Sequence, residues 1–137
     1  MKRRAALALI VLAVPVRAQV AAADRAAIEG VIAAQIGAFR RDDGPAAYAF
    51  AAPNVKALFP TAEIFMRMVR SGYAPVYRPQ AMRFGEIAVE NGAVVQRLLL
   101  RGPDGRAHLA LYTMERQGDG TWKIAAVVLV TLPETGA

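Results

Sequence analysis

The chain has 137 residues, a length suited to one domain, with 17 Lys+Arg against 11 Asp+Glu, 55% hydrophobic residues and no cysteine. This composition excludes a disulfide framework, thiol catalysis and cysteine-ligated zinc or iron–sulfur centres. The single histidine, His108, excludes a multi-histidine metal site within one subunit, and no metal or cofactor is expected.

Residues 1–18 read as a secretory signal peptide. Lys2, Arg3 and Arg4 form a positive start, and Ala5 to Val16 form an apolar run shorter than the roughly 20 residues a membrane span needs. Val16-Arg17-Ala18 supplies small residues at the cleavage positions, so the cut is placed before Gln19. An uncleaved anchor helix is the alternative. Removing this segment lowers the formal charge from +6 to +2, which makes no case for nucleic-acid binding. A periplasmic or secreted chain is expected, with no stable membrane span after cleavage. The domain would comprise residues 19–137, with its core at about 23–131, and must hold without disulfides.

From Asp24 to about Arg41, Ile28, Ile32, Gln35, Ile36 and Phe39 recur at spacings of three and four on an alanine-rich background. That is a helix, with Asp24 as its candidate N-cap. Asp42-Asp43-Gly44-Pro45 breaks it, and the aspartates can cap a short helix over 46–52. Pro53-Asn54 reads as a turn before a short apolar segment with Val55, Leu58 and Phe59. Thr61 can cap a third helix ending near Gly72, with Ile64, Phe65, Met68 and Val69 as its buried stripe. Tyr73 to Pro79 reads as an extended, proline-stiffened connection.

Four strand-like runs follow, at about 81–90, 93–101, 106–117 and 121–131. Asn91-Gly92 separates the first two and is a strong two-residue hairpin signal, because both positions require positive φ. Glycine-containing turns separate the others, and residues 132–137 should fray. Helices followed by strands predict an α+β fold: N-terminal helices packed on a curved four-stranded antiparallel meander.

The stretches Gln35–Asp43, Ala49–Pro53 and Phe65–Arg70, with Gly72-Tyr73 and Pro75-Val76-Tyr77-Arg78-Pro79, resemble an uncharacterised bacterial family. It is the domain of unknown function numbered four-eight-six-four. The similarity covers roughly Ala23 to Thr131, and Phe65–Pro79 is its specific part. The layout also resembles the nuclear-transport-factor-two-like, or SnoaL-like, cone. That resemblance implies a pocket between helices and sheet but no particular reaction. The family transfers no catalytic residues.

Among individual residues, His108 shares a strand face with Ala110, Tyr112 and Met114. Facing a pocket, His108 and Tyr112 would make a general base with a hydrogen-bonding partner; facing solvent, His108 would be an ordinary strand residue. Tyr73, Tyr77 and Arg78 suit a pocket rim, with Arg83 adding charge, for a small apolar or anionic ligand. Alternatively the rings cover the core and the guanidinium groups pair with acids such as Glu86. Gln96 interrupts an apolar strand face and must find a partner, within the pocket or elsewhere. Ser71 lacks the setting of a nucleophile, and Trp122 is expected to pack inward. Arg40-Arg41, Arg67 and Arg70 read as solvated helix faces. Val95, Leu99, Val127 and Leu129 could form a second apolar sheet face, suited to a homodimer. The reading is a non-catalytic ligand-binding or protein-assembly module of the cell envelope. The alternative is a proton-transferring isomerase or lyase using His108.

Overall fold

The computed structural model describes residues 19–134; the expected signal peptide, residues 1–18, and the tail residues 135–137 lie outside them. The first helix, α1 (Ala22–Arg40), buries Ile28, Ile32, Gln35, Ile36 and Phe39, the stripe its spacing requires. Its N-cap is Ala21 rather than Asp24, because Ala22 and Ala23 extend the helix by a half-turn. Asp24 sits inside the first turn and ion-pairs with Arg116.

At Asp42 the backbone turns through a positive φ of 52°. Asp43 then caps α2 (Gly44–Ala49), its carboxylate accepting from the Ala46 N–H at 3.1 Å. The segment read as a turn and an apolar run is a helix, α3 (Pro53–Leu58). Pro53 starts it without penalty, since the first helical N–H has no partner in any helix. Thr61 caps α4 (Ala62–Gly72), its hydroxyl accepting from Ile64 N–H at 3.1 Å. The buried face of α4 is Phe65, Met66 and Val69, while Ile64 is 40% exposed. The stripe is rotated toward Met66 because α2 also packs on this helix. Gly44 makes that possible: a Cβ there would stand 3.1 Å from Met66 Cγ. Tyr73–Pro79 is not fully extended either, for Ala74–Tyr77 forms one helical turn, α5. Pro75 lies in its first turn, where proline is tolerated, and Pro79 restricts only Arg78.

The strands are β1 (Ala81–Glu90), β2 (Ala93–Arg101), β3 (Ala107–Arg116) and β4 (Trp122–Thr131), paired in the order β1-β2-β3-β4, all antiparallel. Asn91 (φ 51°) and Gly92 (φ 79°) make the first hairpin. The helices cover the face that carries Leu98, Leu100, Ala110, Tyr112 and Met114.

Two bulges decide which side chains point inward. The first, between Phe84 and Ile87, keeps both of those residues on the covered face; Arg83 lies opposite Leu99 on the open face. The second falls at Ala125, between the pairs Thr113–Ala126 and Met114–Ile124. Beyond it Val127 opposes Tyr112 and Leu129 opposes Ala110, so both turn inward. Their expected place on the open face is therefore corrected. Val128 and Val130 stand there instead, 53% and 42% exposed.

Candidate functional site

A cavity of about 340 Å³ lies between the helices and the edge strand β4. Its helical wall comes from Gln35 and Phe39 of α1, Val55 and Leu58 of α3, and Met68 and Val69 of α4. The opposite wall is β4 from Ile124 to Val127. The bulge is what brings Ile124 and Val127 to the same side there. Residues 50–52 hold this edge in place: Ile124 N–H donates to Phe50 O at 2.8 Å, and Ala52 N–H donates to Ile124 O at 2.9 Å. Leu58, 73% exposed, stands at the mouth.

The cavity's polar side chains are few. Gln35 is buried, and its Nε2 donates to Ala47 O at 3.1 Å. Asn54 Nδ2 donates to Ala125 O at 2.9 Å and ties α3 to the bulge. Tyr73 is half-buried beside them. No Lys, Arg, His, Asp or Glu is among the lining residues described. Among the described residues, no group of three or more His, Asp or Glu is placed to hold a metal ion.

Of the catalytic and ligand-binding candidates read from the sequence, only Tyr73 lines this cavity. Tyr77 and Arg78 instead clasp Asp42. The Tyr77 hydroxyl donates to Asp42 Oδ1, and Arg78 Nη2 bonds Oδ2 at 2.9 Å. Arg78 Nη1 donates to the Phe39 carbonyl, and its guanidinium lies 4.1 Å from the Tyr77 ring centre. Arg70 Nη2 approaches Asp42 Oδ1 at 3.8 Å. The Tyr77 hydrogen bond, with help from Arg78 and Arg70, holds the Asp42 carboxyl below its usual range. This clasp joins the end of α1 to α4 and α5.

Arg83 is exposed on the open face, away from the cavity. Gln96 is fully buried, its Nε2 donating to Gly85 O at 3.1 Å and Arg97 O at 2.8 Å. It thus serves the β1 bulge, a local need for a donor that the strand pattern alone did not reveal. The acid expected near the arginines, Glu86, pairs with Arg97 at 4.0 Å, and Glu90 does so at 2.9 Å.

His108 is buried at the end of β3. Its Nδ1 lies 3.3 Å from Thr131 Oγ1 and its Nε2 lies 3.7 Å from Asp104 Oδ1. Tyr112 is four residues further along the strand, roughly 13 Å away at the rise of an extended chain. The two share the covered face but cannot touch. Tyr112 is fully buried, and burial pushes its phenol well above the usual range. Neither residue lines the cavity. Ser71 Oγ donates back to Met68 O at 3.1 Å within α4. Trp122 is half-buried with Arg116 over its ring at 5.0 Å.

Gln35 and Asn54 are the polar site residues that sequence reasoning did not single out. Gln35 left a trace, as the polar member of the apolar α1 stripe. Asn54 left none, because its role depends on a bulge 71 residues later.

A family model, described as a domain of unknown function (DUF4864), matches residues 21–137, and the chain belongs to that family. No curated protein matches the chain. Among solved structures, an NTF2-like protein of unknown function from Shewanella baltica OS155 superposes with a TM-score of 0.55 at 10% identity. The match covers 85% of this chain and 99% of that one. A structure from Catenulispora acidiphila gives a TM-score of 0.51 at 18% identity, covering 80% of this chain and 92% of that one. These likenesses establish an NTF2-like α+β fold, the class expected from the order of helices and strands and the form expected from the resemblance.

Proposed function

We propose that this DUF4864 member is an exported, non-catalytic module of the cell envelope that binds a small, mainly apolar molecule. The observation that carries the reading is the cavity against β4. Its volume of about 340 Å³ falls within the range of small-molecule sites, and its wall is apolar with a few placed polar groups. The titratable residues that proton transfer would use lie elsewhere: His108 and Tyr112 are outside the lining. The signal-like residues 1–18 support export.

The test is native mass spectrometry of the protein isolated from the exported fraction of its own cells, with sequencing of its N-terminus. The expected result is a bound small-molecule mass on a chain that begins at Gln19. A chain retained inside the cell with residues 1–18 intact would refute export. A ligand-free chain whose cavity takes up no apolar probe would refute the binding role.

A second copy of the chain is the proposed partner. The open sheet face presents Leu99, Leu109, Leu111, Val128 and Val130. Charges of both signs, Arg83, Arg97, Glu86 and Glu90, flank it, as a self-complementary two-fold contact requires. Sedimentation of the wild type and of Val128→Asp should show a dimer for the first and a monomer for the second. Equal masses for both would remove this interface.

A further inference from the structure

We infer that the cavity selects a neutral ligand whose polar end is a hydrogen-bond donor, such as an alcohol, over a carboxylate or phosphate of the same size. This inference rests on the ligand-binding reading above and specifies its chemistry. Its basis is the way the two amide side chains of the wall are held.

Gln35 is only 4% exposed, and its Nε2 is taken by the Ala47 carbonyl at 3.1 Å. A carbonyl can be met only by the NH₂ end of the amide, so the orientation is set: Oε1 and the second N–H are the groups left, and Oε1 is the acceptor. Asn54 repeats the arrangement: its Nδ2 is taken by Ala125 O at 2.9 Å, which leaves Oδ1 as the acceptor. Both side chains therefore offer an acceptor oxygen, buried at Gln35 and exposed at Asn54, beside one remaining N–H each and the Tyr73 hydroxyl. An alcohol O–H can donate to either oxygen.

An ionised carboxylate has no proton to give those oxygens and would find only neutral donors, the Tyr73 hydroxyl and the remaining amide N–H groups. Among the described residues, no arginine, lysine or histidine lines the cavity to compensate for its lost hydration. Arg78, which follows α5, is committed to Asp42. The cavity also bounds ligand size. At roughly 30 Å³ for each atom of water size, it holds about eleven non-hydrogen atoms.

The experiment compares 1-decanol, nonyl methyl ether and decanoate by titration calorimetry at pH 8, on the chain from Gln19 to Ala137. The alcohol and the ether are matched in size, and only the alcohol donates. Decanol is expected to bind roughly tenfold tighter than the ether, the effect of one hydrogen bond to a buried acceptor. Decanoate is expected to bind more weakly than either. Met68→Trp, which places bulk in the cavity wall, should abolish decanol binding.

Decanoate binding as tightly as decanol, or the ether matching the alcohol, would overturn the inference while leaving the cavity a binding site. Undiminished decanol binding to Met68→Trp would overturn it by placing the ligand elsewhere. Failure of all three probes to bind would remove the binding role itself. The three-ligand comparison involves no substitution, so it stands even where the tryptophan variant folds poorly.

Discussion

Phe39 is the side chain through which stability and the proposed binding role meet, so Phe39→Ala is the most informative perturbation. Its ring is 1% exposed, forms part of the cavity wall, and lies 6.2 Å from the ring centres of both Phe65 and Tyr77. Loss of a buried phenyl ring costs about 3–5 kcal/mol, and part of that is the two aromatic contacts. The site cannot collapse to recover the loss, because it already borders a cavity and the removed volume joins it. We therefore expect about 4 kcal/mol, within the ~5–15 kcal/mol that holds such a domain folded. The midpoint of thermal unfolding should fall by roughly 15 °C for a domain of this size.

Urea unfolding followed by the fluorescence of Trp122, the only tryptophan, measures the change directly. The enlarged cavity should also shift preference from decanol toward a longer alcohol. A cost below about 2 kcal/mol, or an unchanged chain-length preference, would refute the placement of Phe39 as the wall between core and cavity.

Four further outcomes follow from the same geometry. Gly92→Ala should cost about 1 kcal/mol in a thermal melt, because φ is +79° and a Cβ there meets no neighbour, so backbone strain acts alone. Gly118→Ala, with open space and no positive φ, should leave the melt almost unmoved. Thr61→Ala should remove the α4 cap and cost about 1 kcal/mol by urea unfolding. Asp42 titrates below its usual range in the folded chain, chiefly through the Tyr77 hydrogen bond. Its contribution is therefore present above the unfolded carboxylate pKa, about 3.9, and is lost as pH falls through the lower folded value. Asp42→Asn should flatten the acid limb of the stability–pH curve, and an unchanged limb would show that the clasp adds nothing.

The sequence by itself determined the class of fold. The α1 stripe, the Asp43 and Thr61 caps and the Asn91-Gly92 hairpin are local signals, each read from residues within a few positions of one another. Local chemistry therefore sufficed to place the main helices and all four strands to within a residue or two. It also placed His108 and Tyr112 on one strand face. It could not place them relative to a cavity, since that depends on which helix covers which part of the sheet.

The tertiary structure decided what pairing and layering decide. The bulge at Ala125 exchanged the two faces of β4, turning Val127 inward and Val128 outward, because strand side chains alternate with period two and one extra residue reverses all that follow. The Pro53–Leu58 and Ala74–Tyr77 turns are too short to show a helical period, and packing against α4 and β4 is what selects them. Gln35 and Asn54 gained their roles only when α1 met α2 and α3 met β4. Each amide donates to a carbonyl, 12 residues away for Gln35 and 71 for Asn54; the stripe marks Gln35 as polar but names no partner, and nothing local marks Asn54.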